Sequence, residues 1–192
     1  MKSGKSTKIV SSAALASSMF ALAACQEEQT FETYSFKTVE QCYDQAAFDT
    51  SFTNEDCDDQ FASALLAHDE SAPRYDSVAV CEEVHGEGAC QVQTGANGSS
   101  VFLPLFMGYM MGGGFDVDKK KRYYGAPLYA SKSGGFYSNS GTSFNSIGTK
   151  KTVPVSSLSY KAPSTKFSAP MTTTTVRSTG GFGGSRSVSV GG

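Results

Sequence analysis

The sequence predicts a small all-α domain that disulfides hold together, followed by a mostly disordered low-complexity tail. Three observations support this fold class. Helix-capping residues precede three short amphipathic segments. Four cysteines lie in the same part of the chain, and the composition changes to Gly, Ser and Thr after three consecutive glycines at residues 112–114. We therefore expect much less than the full 192 residues to be folded.

The first 24 residues have the features of a lipoprotein signal peptide. Three lysines precede an apolar run that is too short and too rich in Ser and Ala to span a bilayer. The run ends in Leu22, Ala23, Ala24 and Cys25, which resembles the lipobox read by bacterial lipoprotein signal peptidase. We expect cleavage before Cys25 and a lipid on its sulfur, so the membrane is the first expected partner. Ordinary secretory cleavage and a retained anchor are the alternatives.

Charge is distributed unevenly along the chain. Residues 26–100 contain 16 Asp and Glu against only Lys37 and Arg74, whereas residues 119–192 contain 11 Lys and Arg and no carboxylate. The net charge of −2 therefore conceals an acidic head and a basic tail. In the cell envelope we expect such a tail to contact an envelope protein, lipopolysaccharide or the cell wall, or only to keep the chain soluble.

The remaining cysteines, Cys42, Cys57, Cys81 and Cys90, are expected to form two disulfides in an oxidising compartment. Four cysteines allow three pairings, and short loops favour Cys42 with Cys57 and Cys81 with Cys90. Cys81, His85 and Cys90 could also ligate zinc, but bridged sulfurs cannot bind a metal. No metal or other cofactor is expected.

The expected organisation follows this order along the chain: signal peptide 1–24, tether 25–37, helical disulfide domain 38–91, linker 92–100, apolar Gly- and Met-rich segment 101–115, and basic disordered tail 116–192. In the helical domain, Thr38 begins a capping box before a first helix, and Asn54 is the expected N-cap of a second. That second helix should end near Ala72, which precedes a proline. Ser77 should open a third helix that ends at Gly86.

The apolar segment allows several interpretations. A helix over residues 105–111 would bring Gly108 and Gly112 into a spacing that permits close helix contact. The segment could cover the disulfide domain, self-associate, touch a membrane surface or bind a ligand. The residues of this segment and of the following basic run that we expect to contact a partner are Met107, Gly108, Tyr109, Met110, Met111, Gly112, Lys119, Lys120, Lys121 and Arg122.

Groups that could perform catalysis are few. His68 and His85 are the only imidazoles, and His85 is interpreted as a cation at a helix end or as a surface residue. No set of residues matches a nucleophile with a base, and the glycines at 112–114 lack the partners of a phosphate loop. We expect no catalytic residue, no enzyme and no binding of nucleic acid.

Several short motifs in a fixed order resemble the YgiB family of enterobacterial envelope proteins. These are Cys42, Cys57, Ser71-Ala72-Pro73 with Tyr75, Cys81, Gly86-Glu87-Gly88 with Cys90, Leu103-Pro104-Leu105, Gly108-Tyr109-Met110-Met111-Gly112, Pro127-Leu128-Tyr129, Thr173-Thr174-Thr175 and Gly181-Phe182-Gly183. The resemblance covers nearly the whole chain. It implies a lipoprotein of the Gram-negative envelope and gives no catalytic residue. It also implies gene neighbours that encode glutathionylspermidine-synthase-like ATP-grasp enzymes, while Gln26 resembles the signal for sorting to the outer membrane.

These observations lead to one main hypothesis and one alternative. The main hypothesis is a non-enzymatic outer-membrane lipoprotein that faces the periplasm and acts as a tether or adaptor. The alternative, which depends on the resemblance, is that the chain is a substrate or accessory partner of an ATP-grasp ligase.

Overall fold

Eight strands and five helices occur in the part of the chain that the structure, a computed structural model, describes: residues 28–95, 98–117, 120–158 and 161–179. In chain order they are β1 (Thr30–Phe36), α1 (Val39–Ala46), α2 (Asn54–Ser71), α3 (Val78–His85), β2 (Cys90–Thr94), β3 (Ser100–Pro104), β4 (Gly108–Val117), β5 (Lys120–Ala130), β6 (Phe136–Ser138), β7 (Ser143–Phe144), β8 (Lys150–Pro154), α4 (Val155–Leu158) and α5 (Thr173–Thr179).

Six of these strands form one antiparallel sheet in the order β7-β6-β5-β4-β1-β8. The two edges of this sheet come close to each other, because Lys151 Nζ on β8 donates a hydrogen bond to the Ser143 carbonyl on β7 at 2.9 Å. The sheet is therefore a nearly closed barrel. We call the six strands together with α1, α2 and α4 the sheet body.

The expectation of an all-α domain with a mostly disordered tail is wrong. The sheet takes β1 from the expected tether, most of β4 from the apolar segment, and its other four strands from the expected tail. Backbone ladders satisfy N–H and C=O groups between distant segments, so strands rich in Gly and Ser can join a sheet while supplying few apolar side chains. Residues 180–192 of the expected tail lie outside the described residues.

The inner face of the barrel holds one apolar cluster. It consists of Met110, Leu128, Phe144, Val153 and Leu158. Gly112 on β4 provides the space for Leu158 of α4, because an added Cβ would lie 2.4 Å from Leu158 Cδ2. Leu158 of α4 therefore packs inside the barrel because Gly112 has no side chain there.

The other face of the sheet is covered by α1 and α2. Phe36, Tyr109 and Met111 from the sheet pack against a cluster that includes Cys42 and Cys57. Helix α2 lies very close to β5, since a Cβ on Gly125 would be 2.2 Å from the Gln60 carbonyl oxygen. The helix backbone therefore contacts the strand backbone directly at this glycine.

The three predicted helices are present, with small differences at their starts. The capping box of α2 belongs to Thr53, one residue before the predicted N-cap, because Asp56 N donates to Thr53 Oγ1 at 3.2 Å and Thr53 N donates to the Asp56 carboxylate at 2.8 Å. Thr38 precedes α1 but its side chain makes no capping hydrogen bond. Ser77 caps α3, which ends at Gly86 with φ of 100°.

The hairpin of β2 and β3, helix α3 and the segment 161–179 form a second unit, which we call the distal module. Tyr75 is its central residue, because its backbone N donates to the Phe102 carbonyl at 2.9 Å and its ring lies in the module's apolar cluster. The next residue, Asp76, binds the segment 161–179, because its backbone N donates to the Met171 carbonyl at 3.1 Å. The C-terminal segment is thus part of the fold and packs beside α3.

Candidate functional site

The amino terminus of the described chain is tied to the edge of the sheet body. Val155 N donates to the Gln29 carbonyl at 2.8 Å, the Ser156 hydroxyl bonds the Glu28 carboxylate, and Thr30 pairs with Pro154. The predicted signal peptide and the predicted lipidation site, Cys25, lie outside the described residues. Among the helices that the structure describes, none has the length and apolar character needed to cross a membrane.

The β4–β5 hairpin projects from the same end of the sheet. Thr33 pairs with Gly112, so β4 continues past the level of Thr30, where β1 starts. At the far end of this hairpin Val117 stands opposite Lys120. We call this end of the sheet, which contains the start of β1 and the tip of the β4–β5 hairpin, the anchor end.

Part of the predicted basic contact run lies at the anchor end. Lys120, Lys121 and Arg122 occupy the first three positions of β5, opposite Val117, Asp116 and Phe115 of β4. Lys119 lies outside the described residues. The fold therefore brings these three basic positions to the end of the sheet at which the described chain begins.

The distal module lies at the opposite end. Helix α2 runs along β5 in the same direction, with Gln60 against Gly125 and the His68 ring 5.7 Å from the Tyr129 ring. Because β5 begins at the anchor end, the C-terminal end of α2 and the distal module that follows it are about one helix length away from that end.

The predicted apolar contact residues are mostly in the core. Met107 precedes β4, and Gly108 to Gly112 form its first half as a strand, not as the helix considered from sequence. Tyr109 and Met111 pack beneath the helices while Met110 points into the barrel, and both methionines are only 1% exposed. A central strand buried on both faces shows no alternation of polar and apolar residues. Gly108 to Gly112 are therefore covered on both faces, whereas Met107 is partly exposed.

The four described cysteines form two disulfides, Cys42–Cys57 and Cys81–Cys90. These are the pairings that short loops favour. The first joins α1 to α2 within the apolar cluster under the helices, and the second joins α3 to β2. Neither pair leaves a thiol for nucleophilic or metal chemistry, and no group of metal-binding side chains occurs among the described residues.

A buried cluster of two histidines and three tyrosines joins the distal module to the sheet body. His85 Nε2 lies 2.8 Å from the Tyr75 hydroxyl, and His85 Nδ1 lies 3.0 Å from the Ala130 carbonyl oxygen. The Tyr137 hydroxyl is 3.1 Å from the same Nδ1. Because a carbonyl only accepts, Nδ1–H donates to Ala130 and Nε2 accepts from Tyr75. The other members of the cluster are His68 and Tyr129, whose Nδ1 and hydroxyl are 3.3 Å apart.

The interpretation of His85 as a helix-end cation or a surface residue is wrong, since it is 1% exposed. Burial lowers its pKa to about 4, although the hydrogen bond to Ala130 acts in the opposite direction. Burial also lowers the pKa of His68 and raises the pKa of the Tyr75 and Tyr137 hydroxyls. All four side chains are neutral at pH 7, so the cluster acts as a hydrogen-bonded joint between two parts of the fold.

Sequence analysis did not identify this cluster. Tyr75, Tyr129 and Tyr137 reach His85 from three separate segments, the last of them 52 residues away in sequence. No local motif contains the four residues together. The available signal was the buried-helix pattern around His85, which lies between Val84 and the glycine that ends α3.

Comparison with known proteins identifies the family of this chain. Residues 30–191 match a family described as a protein of unknown function, DUF1190, and the match begins at the first residue of β1. A UPF0441 protein of Erwinia tasmaniensis is 36% identical over 194 residues, which cover 87% of this chain and 76% of that protein. No solved structure matches. These relationships are compatible with the YgiB resemblance and show that the chain belongs to the DUF1190 family.

Proposed function

We propose that the protein is a non-enzymatic lipoprotein of the outer membrane that faces the periplasm and acts as a tether or adaptor. One observation carries the proposal: Glu28, the third residue after Cys25, already bonds Ser156 of the sheet body. Three residues of extended chain span at most about 11 Å. A lipid on Cys25 would therefore hold the body directly against the membrane surface.

The anchor end is suited to face that surface. It contains the backbone positions of Lys120, Lys121 and Arg122, which follow Lys119 in the sequence. Each Lys or Arg near an anionic lipid surface contributes about 1 kcal/mol of attraction, and salt weakens it. The lipid and the basic run would thus act on the same end and orient the body with the distal module away from the bilayer.

The chemistry of the described residues supports a binding role. All four cysteines of the folded part are bridged, and the buried His85 is neutral at pH 7, with both ring nitrogens engaged in internal hydrogen bonds. The described residues therefore offer a rigid, disulfide-bonded body with its two ends held apart by α2.

Fractionation of cells that express the full chain tests the anchor. The wild type should be found in the outer-membrane fraction and incorporate labelled fatty acid, whereas Cys25→Ser should incorporate none and become soluble or remain uncleaved. Gln26→Asp is the matched control, because it keeps the lipidated residue and should move the protein to the inner membrane. Full retention of Cys25→Ser in the outer membrane would contradict the proposal.

A second measurement tests the orientation. The triple variant Lys120→Gln, Lys121→Gln and Arg122→Gln should be extracted from membranes at lower salt than the wild type. Lys132→Gln with Lys166→Gln changes cations outside the anchor end and should leave extraction unchanged. If both variants lowered the salt concentration needed for extraction equally, the attraction to the membrane would depend on net charge and not on the anchor end.

A further inference from the structure

A cleft of about 790 Å³ opens where the distal module meets the C-terminal end of α2, between that helix end, the β2–β3 hairpin and the segment 161–179. Its lining contains three charged side chains, those of Asp69, Arg74 and Lys166. The remaining lining is formed by hydroxyl, amide and small apolar groups, and by Phe167, a residue that is 94% exposed. Three separate parts of the chain therefore build this cleft.

Arg74 is the unusual residue of the cleft, because it is a cation that is only 7% exposed. Its Nη1 donates to Gln93 Oε1 at 2.5 Å and its Nη2 donates to the Asp69 backbone carbonyl at 3.0 Å. Both partners are neutral oxygens. The buried Nε–H has no partner among the described residues. Arginine is rarely buried to this extent unless a carboxylate or phosphate pairs with it.

The one carboxylate in the lining is already engaged. Asp69 Oδ2 lies 3.0 Å from Lys166 Nζ, and this hydrogen bond is the main reason that the pKa of Asp69 is lowered. Two cations and one carboxylate leave the lining with a formal charge of +1. This surplus is notable because Arg74 is one of only two basic residues within the acidic head of the sequence.

We propose that this cleft binds the carboxylate or phosphate group of a soluble, hydroxyl-bearing ligand such as an acidic or phosphorylated sugar. A guanidinium and an ammonium group together form strong charge-assisted hydrogen bonds to an oxyanion. Hydroxyl and amide side chains at Gln93, Thr94 and Ser168 can bond sugar hydroxyls, and the exposed Phe167 ring can cover an apolar sugar face. The anion would supply the charged partner that Arg74 lacks.

The cleft lies where the distal module meets α2, at the end opposite to the anchor end. In the proposed lipoprotein it would face the periplasm and be open to soluble anionic sugars there. The inference thus names a ligand class for the proposed adaptor. Binding is measured in solution, so this inference can fail while the fractionation result stands, and the reverse also holds.

The test is titration calorimetry on the full chain as purified from the producing cell, in a neutral detergent. The probes are inorganic phosphate, D-glucuronate and D-glucose 6-phosphate, with D-glucose as the uncharged control. We expect at least one of the three anions to bind with one-to-one stoichiometry and D-glucose to bind much more weakly. The absence of binding by all three anions would overturn the proposal, and the tightest probe would distinguish a carboxylate from a phosphate ligand.

Variants locate the binding. Arg74→Gln and Lys166→Gln should each weaken the affinity roughly tenfold, the loss expected for one charge-assisted contact. Arg74 is buried and Arg74→Gln could unfold the module, so Lys166→Gln, at a half-exposed residue, decides the outcome in that case. Lys150→Gln is the matched control, because Lys150 forms a similarly exposed ion pair with Glu32 at 2.8 Å on the sheet body. An equal loss in Lys150→Gln and Lys166→Gln would overturn the proposal, since bulk charge would then explain the binding.

Discussion

The sheet body and the distal module are stabilised by different kinds of contact. In the sheet body, apolar side chains fill both faces of a barrel-like sheet, and α2 lies so close to β5 that its backbone contacts Gly125. The distal module has a smaller apolar cluster around Tyr75, a disulfide across a short loop, and the buried hydrogen bonds of His85. Each region also contains one disulfide, so the difference is that the sheet body depends mainly on apolar packing, whereas the distal module depends more on buried neutral polar groups.

This difference indicates where the molecule should respond to its surroundings. Apolar packing depends little on pH, whereas a buried histidine depends strongly on it. Acid should therefore loosen the distal module, which borders the proposed ligand cleft, before the sheet body. Each region contains one disulfide, so removing either bond tests that region by itself.

The largest effect is expected for Gly125→Ala in the sheet body. The new Cβ would lie 2.2 Å from the Gln60 carbonyl oxygen and 2.9 Å from its carbonyl carbon, and neither backbone atom can move without shifting α2. We expect a loss of about 4 kcal/mol in the free energy of unfolding, measured by urea denaturation.

The control for Gly125→Ala is Gly134→Ala. Gly134 has φ of 97° and no atom within 4 Å of an added Cβ, so this change tests backbone strain without a clash. It should cost only about 1 kcal/mol. If the two variants were equally stable, the close contact between α2 and β5 would be refuted.

Acidification should destabilise the distal module. The pKa of His85 is about 4 in the folded state and near 6.5 when unfolded, so its contribution is complete above pH 6.5 and is lost as the pH falls toward 4. The full loss is about 3 kcal/mol. Hydrogen exchange at pH 7 and pH 4.5 should show opening of α3 and the β2–β3 hairpin before β4 and β5.

His85→Gln provides the control for this pH dependence. It removes the titrating imidazole, so the difference in unfolding free energy between pH 7 and pH 4.5 should become smaller than in the wild type. His68 retains a contribution of the same sign, because burial lowers its pKa too. An unchanged pH dependence in His85→Gln would show that other groups cause the acid sensitivity.

Removing the Cys81–Cys90 disulfide should have a local effect. The loop closed by this bond spans 9 residues, and the chain-entropy model assigns such a loop about 2.5 kcal/mol. With Cys81→Ala and Cys90→Ala, limited proteolysis should cut the β2–β3 hairpin while the sheet body remains protected.

Removing the Cys42–Cys57 disulfide of the sheet body serves as the comparison for removing the Cys81–Cys90 disulfide. Cys42→Ala with Cys57→Ala removes a bond inside the apolar cluster beneath the helices, so the whole sheet body should unfold at lower urea concentration. Equal protection of the hairpin in both double variants would indicate that the distal module does not open separately.

The smallest effect is expected for a matched pair of tyrosine variants. Tyr75→Phe leaves His85 Nε2 with only the more distant Tyr137 hydroxyl, at 3.4 Å, and should cost about 1 kcal/mol. Tyr109→Phe should cost nothing or stabilise the protein, because the buried Tyr109 hydroxyl has no partner among the described residues. A loss in Tyr109→Phe as large as in Tyr75→Phe would contradict the distinction between the two regions.

Local sequence signals predicted the local structure well. Ser77 and Gly86 bound α3 as expected, and α2 ends at Ser71, ahead of Pro73. These signals work because capping and the steric effect of proline involve only neighbouring residues. These signals did not predict the sheet, because Thr33 pairs with Gly112, and a local pattern contains no information on residues so far apart in sequence.

Among the candidate sites, too, those that depend on neighbouring residues were predicted and those that depend on distant residues were not. Sequence predicted lipidation at Cys25, which lies outside the described residues, and it favoured the two disulfides that the structure contains. It did not identify the His85 cluster or the pairing of Arg74 and Lys166 across one cleft, because the residues of each come from distant segments. Clusters of this kind arise only when the fold brings those segments together.

Local patterns in the sequence predict the positions of the three main helices, the favoured cysteine pairs and the separation of acidic and basic residues along the chain. That glycine- and serine-rich segments become strands follows only from their pairing with distant segments. Gly112 and Gly125 can be covered there because Leu158 and the backbone of Gln60 occupy the space that their missing side chains leave. Burial in this protein therefore depends on which distant segment covers a residue, and a residue's own hydrophobicity does not report that.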